Sequence, residues 1–176
     1  MVRGLHSALT RAKRDAAVNA VVITGAGMAF SAGADLKEFV ARKSPLPQAL
    51  ERRELGALLL LIDGFPKALV AAVNGDALGA GFGLVAACHL AVAAQGAHFG
   101  LPGVRLGVMP MTIMPAVFRT LPRKLGLELM LTGRLMTAEE TLGAGFINAT
   151  VDSAALEAAA HDLALAATDL RGLTGL

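Results

Sequence analysis

The chain has no tryptophan, no tyrosine and one cysteine, and only 17% of its 176 residues are charged. Sixteen Lys and Arg against fourteen Asp and Glu leave a formal charge of +2. The basic residues are scattered apart from Arg52-Arg53 and Arg123-Lys124. With no basic stripe and few stacking rings, nucleic acid is not an expected partner. The single Cys88 excludes an internal disulfide framework and a cysteine-based zinc cluster, and no metal is expected. An unbroken apolar span is missing too. Asp63-Gly64-Phe65-Pro66-Lys67 interrupts the longest stretch, and residues 68–94 carry Asn74, Asp76 and His89, so no membrane span is expected. Met1-Val2-Arg3 is not followed by an apolar export segment, which makes a cytoplasmic location the expectation.

What is present is apolar residues, 55% of the chain, ample for a core and sized for one domain over residues 1–176. Leu5, Leu9, Ala12 and Ala16 fall at helical spacing, and residues 20–24 then form a buried strand. Residues 34–42 resume a helix, Pro45-Leu46-Pro47 break it, and 48–63 form another that ends near Gly64. A strand at 69–73 precedes a helix over 79–88, with further strands at 90–94 and around 98–100. Helices are expected over 114–119, 123–132, 137–144 and 153–168. Strands alternating with helices argue for an α/β architecture whose helices cover the sheet.

Two segments stand out. Residues 29–38, AFSAGADLKE, follow the apolar run at 20–25, and residues 74–83, NGDALGAGFG, follow the run at 69–73. In each, a strand-like run breaks into small residues and restarts as a helix. Backbone N–H groups are thereby left without partners at two turn-to-helix junctions, and such groups can hold a developing oxyanion. The plainer reading is that both are tight strand-to-helix connections.

The A-G-A-D turn at 32–35 paired with the N-G-x-A-x-G-x-G turn at 74–81 resembles the enoyl-CoA hydratase/isomerase (crotonase) family. The resemblance continues through 98–110, HFGLPGVRLGVMP, and 121–147, LPRKLGLELMLTGRLMTAEETLGAGFI, covering most of residues 5–152 in unbroken order. It implies a crotonase-like (ClpP/crotonase) core of repeated ββα units. It also implies an acyl-CoA thioester ligand in fatty-acid or related acyl-CoA metabolism, with coenzyme A as part of the substrate and no separate cofactor. In the family, two backbone N–H groups polarise the thioester carbonyl; they map here onto Ala34 and Ala80. Ala32, Gly33, Asp35, Leu36, Gly79, Gly81 and Pro102 would complete the binding surface. Compared with the family, the chain reads as shortened at both ends, without its N-terminal strands and its C-terminal trimerisation helices.

Where the family's hydratases carry two proton-shuttling glutamates, this chain has Gly83 and Gly103, and where some isomerases and a dehalogenase carry a later carboxylate it has Met111. Classical hydration is therefore expected to be weak or absent, and Gly83→Glu with Gly103→Glu to raise it if the pocket is otherwise intact. Asp76 and His98 are the next candidates for a catalytic group. Otherwise Asp35 reads as capping its helix, Asp76 as a turn residue, His89 as structural, His98 as a strand-edge residue and Ser31 as a small turn residue. The alternative function is a non-catalytic acyl-CoA-binding or assembly partner. A homo-oligomer held by residues 114–146 and the 48–62 helix is expected, unless residues 153–168 fold back over the apolar face.

Three other motif readings are weaker. Gly25-Ala26-Gly27 lacks the third glycine of a dinucleotide fingerprint, since position 30 is Phe. Ala29 replaces the first glycine of a hydrolase elbow at 29–33. Gly79, Gly81 and Gly83 lack the Lys-Ser/Thr of a P-loop.

Overall fold

The computed structural model describes residues 1–33 and 45–168. Its strands fall into two four-stranded sheets, and successive strands alternate between them from β1 to β6, after which β7 joins the same sheet as β6. β1 (Ala20–Thr24), β3 (Ala68–Val73), β5 (Leu90–Ala94) and β8 (Ala149–Val151) form one sheet in that order, all parallel. β2 (Ala29–Ser31), β4 (Asp76–Leu78), β6 (His98–Gly100) and β7 (Leu135–Thr137) form the other, parallel except for the antiparallel β6–β7 pair. Each of β1–β2, β3–β4 and β5–β6 thus turns a corner from one sheet to the other. This is the crotonase-like core of ββα units that the sequence suggested.

The helices are α1 (Val2–Arg14), α2 (Pro45–Asp63), α3 (Ala80–Ala87), α4 (Met114–Thr120), α5 (Arg123–Thr132), α6 (Ala138–Gly143) and α7 (Leu156–Thr168). The expected break at Pro45–Pro47 is instead the start of α2. Proline is tolerated in a first turn because the N–H it lacks has no intrahelical acceptor there. The helix expected over 34–42 lies outside the described residues. α6 begins at a capping box: Thr137 Oγ1 accepts from Glu140 N at 3.1 Å, and Glu140 Oε2 accepts from Thr137 N at 2.8 Å.

β3 explains why its sequence reads as one apolar run. Leu69, Ala71 and Val73 face the main core with Leu9 of α1 and Leu58 and Ile62 of α2. Val70 and Ala72 face the other way, with Val92 against Leu156, Ala160 and Ala164 of α7. A strand covered on both faces cannot alternate with polar residues. α7 therefore covers the parallel sheet, and Leu60, Phe118, Leu131 and Leu142, in the 48–62 and 114–146 segments over which residues 153–168 were weighed as a cover, stay exposed.

The corner between β1 and β2 is tied to the corner between β3 and β4. Asn74 Oδ1 accepts from Gly25 N at 3.0 Å, and its Nδ2 donates to Gly27 O at 2.9 Å. The two backbones touch there: a side chain on Gly75 would run into Met28 O, with Met28 C 2.9 Å from its Cβ.

Candidate functional site

Both parallel pairs β2–β4 and β4–β6 end where the glycine turns begin. After β4 the chain turns at Gly79, φ +54°, whose N–H donates to Gly100 O at 2.9 Å and ties the end of β4 to the end of β6. α3 then starts at Ala80. No side chain caps it, and its first internal hydrogen bond is Gly83 N to Gly79 O at 3.1 Å. The N–H groups of Ala80, Gly81 and Phe82 therefore lack intrahelical acceptors. The helix dipole adds partial positive charge at the same place.

After β2 the chain turns at Gly33, φ +89°, a region that L side chains enter only at a cost. A side chain on Gly33 would lie 2.9 Å from Leu78 O and 3.4 Å from Ala80 N, so this turn sits directly against the start of α3. Ala32 is exposed, whereas Gly33 and Ala80 are half-buried and Gly81 is buried. Of the expected binding residues, Ala32, Gly33, Gly79, Ala80 and Gly81 are thus gathered at one junction. Ala34, Asp35 and Leu36 lie outside the described residues. Pro102 and Gly103 open a 3-10 turn (Pro102–Leu106) just beyond β6, and so follow the strand that Gly79 binds.

The two positions onto which the resemblance maps the family's glutamates, 83 and 103, differ sharply in their room. A side chain on Gly103 would meet only Val108, at 3.6 Å or more. At Gly83 the space is already filled: a Cβ there would lie 2.5 Å from Ile113 Cβ. Ile113 is 3% exposed and is the residue on which α4 starts, its O accepting from Ala116 N and Val117 N, both at 3.1 Å. This exchange of volume between residues 83 and 113 left no trace in the sequence, because the two positions are apart in the chain and individually unremarkable. The condition attached to adding glutamates at 83 and 103, a pocket with room for them, is therefore met at 103 and not at 83. Met111, at the later carboxylate position, is 66% exposed.

Asp76 and His98 are not at the site. Asp76 is the first residue of β4 rather than a turn residue, and its Oδ1 accepts from His98 N at 3.1 Å and lies 3.0 Å from His98 Nδ1. Asp76 starts β4 three residues before Gly79 and His98 starts β6 four residues before Pro102, about 10 and 13 Å along the chain at 3.3 Å per residue. As next candidates for a catalytic group they are therefore displaced by the register. His89 is structural, as expected: its Nδ1 accepts from Leu69 N at 3.2 Å and its N–H donates to Leu69 O at 3.0 Å. α3 itself carries no ionisable side chain, and no cluster of three or more His, Cys, Asp or Glu fit for a metal occurs among the described residues.

Cys88 closes α3 and is buried, and burial pushes its thiol up to about 12. The unfolded thiol ionises at about 8.5. A thiol held neutral in the fold contributes its stability fully below that value and loses it as pH climbs from there toward 12. Native protein at pH 8 should accordingly resist an aromatic disulfide reagent, and one thiol should appear on adding denaturant. Rapid labelling without denaturant would contradict the burial.

The sequence profile of the Enoyl-CoA hydratase/isomerase family matches residues 1–169. The chain belongs to that family. The probable enoyl-CoA hydratase of Bacillus subtilis (strain 168) is 38% identical to this crotonase-family chain over 148 residues, 82% of it and 56% of the relative. Among solved structures, an enoyl-CoA hydratase of Mycobacterium smegmatis superposes with a TM-score of 0.90 at 33% identity, over 96% of this chain and 65% of that one. Human enoyl coenzyme A hydratase domain-containing protein 3 superposes at 0.89 and 30% identity, over 96% and 66%. The chain spans about half the length of the first curated relatives and about two thirds of those solved chains.

Proposed function

We propose that this crotonase-family chain binds an acyl-CoA thioester, as in fatty-acid or related acyl-CoA metabolism, and is a poor hydratase. By family resemblance, the thioester oxygen would be held by the N–H groups of Ala80 and Ala34, the latter outside the described residues, with coenzyme A entering as part of the substrate and no separate cofactor. The observation that carries the reading is the Gly33 turn pressed against the start of α3, with Ala80 N 3.4 Å from the place of a residue-33 Cβ. Two donors from facing turns would polarise the carbonyl without any side chain. Gly83 and Gly103 supply no acid or base, and the loss of one such group costs about 100- to 10,000-fold in rate.

Purified protein should bind butyryl-CoA in a calorimetric titration yet turn over crotonyl-CoA weakly or not at all. Failure to bind any acyl-CoA would overturn the reading, and brisk hydration would show that a proton-transfer group lies elsewhere. The packing of Ile113 over Gly83 favours a second reading, a non-catalytic acyl-CoA-binding or assembly partner, which predicts binding with no turnover of any acyl-CoA.

We also propose a homo-oligomer. Leu60 of α2 is 74% exposed and Leu131 of α5 70%, and Phe118 and Leu142 are exposed as well. Apolar surface of this kind marks association sites. Light scattering at micromolar concentration should give a mass above one chain, and a sharp monomer would refute it.

A further inference from the structure

Ser31 ends β2, two residues before Gly33 and across the seam from α3. Its Oγ accepts from Gly33 N at 3.3 Å. Its Cβ and its carbonyl oxygen both lie 2.6 Å, and its Oγ 3.0 Å, from the place a Cβ on Gly81 would take. One small polar side chain thus touches both turns: it restrains Gly33 by a hydrogen bond, and Gly81 must lack a side chain for it to fit. We propose that Ser31 is a positioning residue of the acyl-thioester site, fixing the separation of the Gly33 turn from the Ala80 N–H. The inference rests on the thioester reading above and adds to it the part that holds the two turns in register.

The physical need is clear from the chain's local geometry. β2 is three residues long and shifts register against β4 between Ala29 and Ser31, so the ladder alone constrains Gly33 weakly. Oxyanion donors act through preorganisation, and a small error in their placement forfeits much of their effect. Alanine at 31 would keep the packing against Gly81 and remove only the acceptor. Threonine would keep the hydroxyl and suit a strand.

The test is the carbonyl stretch of butyryl-CoA carrying carbon-13 at its thioester carbonyl, read by infrared difference spectroscopy on the full chain, with affinities and melting midpoints for the same samples. Native protein should lower the stretch relative to free ligand. Ser31→Ala should bind butyryl-CoA about three- to tenfold more weakly, the usual worth of one hydrogen bond, and its stretch should move back toward that of free ligand. Its affinity for coenzyme A without an acyl group should stay unchanged, and its melting midpoint should fall by only about 2–4 °C, as for one lost hydrogen bond in a chain of this size. Ser31→Thr should restore the native stretch. A full native shift and affinity in Ser31→Ala would overturn the role of Ser31 while leaving thioester binding intact, as would a folded Ser31→Thr that behaves like the alanine variant. Absence of the shift in the native protein would instead remove the thioester reading, and this inference with it.

Discussion

Gly83→Glu should damage the protein rather than create a hydratase. The new Cβ would lie 2.5 Å from Ile113 Cβ, in a buried position where α3 packs on α4. Overpacking of this kind costs about 1–3 kcal/mol, and a carboxylate forced into the same apolar seam adds a burial penalty. A loss of about 3 kcal/mol or more is expected. It would lower the melting midpoint by roughly 6–12 °C in a chain of this size. Gly103→Glu, which meets only Val108, should melt close to the native protein. Ile113→Ala would not rescue Gly83→Glu, because alanine keeps the Cβ in conflict. Ile113→Gly removes it, and glycine is acceptable at a helix N-cap. Crotonyl-CoA hydration should therefore rise only when Gly83→Glu, Ile113→Gly and Gly103→Glu are combined. A Gly83→Glu variant with the native melting midpoint would show that the α3–α4 seam is looser than its packing implies.

Gly75→Ala should be comparably costly for a different reason. The obstacle at residue 75 is backbone, Met28 O and C and the Cα of Ala29 at 3.1 Å, so no rotamer change relieves it. Asn74 holds the opposing segment through Gly25 N and Gly27 O, so the two corners cannot simply drift apart. A loss of about 3 kcal/mol is expected from the overpacking, together with weaker binding of butyryl-CoA, since β2 and the Gly33 turn hang from this crossing. Gly96→Ala is the control: nothing lies within 4 Å of a Cβ there. Its effect should stay within about 0.5 kcal/mol, as for most surface changes. Equal melting of the two variants would show that the crossing carries no strain.

The long apolar strands and most helices were legible because their signals are local. Leu90–Ala94 and Arg123–Thr132 announce themselves by composition and periodicity. Of the five three-residue strands only β6 was expected; β2, β4, β7 and β8 were not, since so short a run carries little periodic signal of its own. Asp76 shows the cost: read with the glycines that follow it, it looked like part of a turn, whereas it begins a strand pointed at them. At the site, the glycine turns were legible because left-handed φ and close approach at Gly33 demand glycine. The filling of the residue-83 position was not, because the filler comes from residue 113 in another element.

The parentage of the two turns gives the site an uneven mechanical footing. β3, flanked by β1 and β5 and covered on both faces, is built to exchange its amide hydrogens last, by global unfolding, and it leads through Asn74 and β4 into Ala80. β2, at the margin of the other sheet with three residues of ladder, can open in a local fluctuation and carry Gly33 with it. One side of the proposed carbonyl site is thus anchored in the most durable part of the chain and the other in one of the least. Warming or mild denaturant should release a bound thioester before any loss of the central sheet registers.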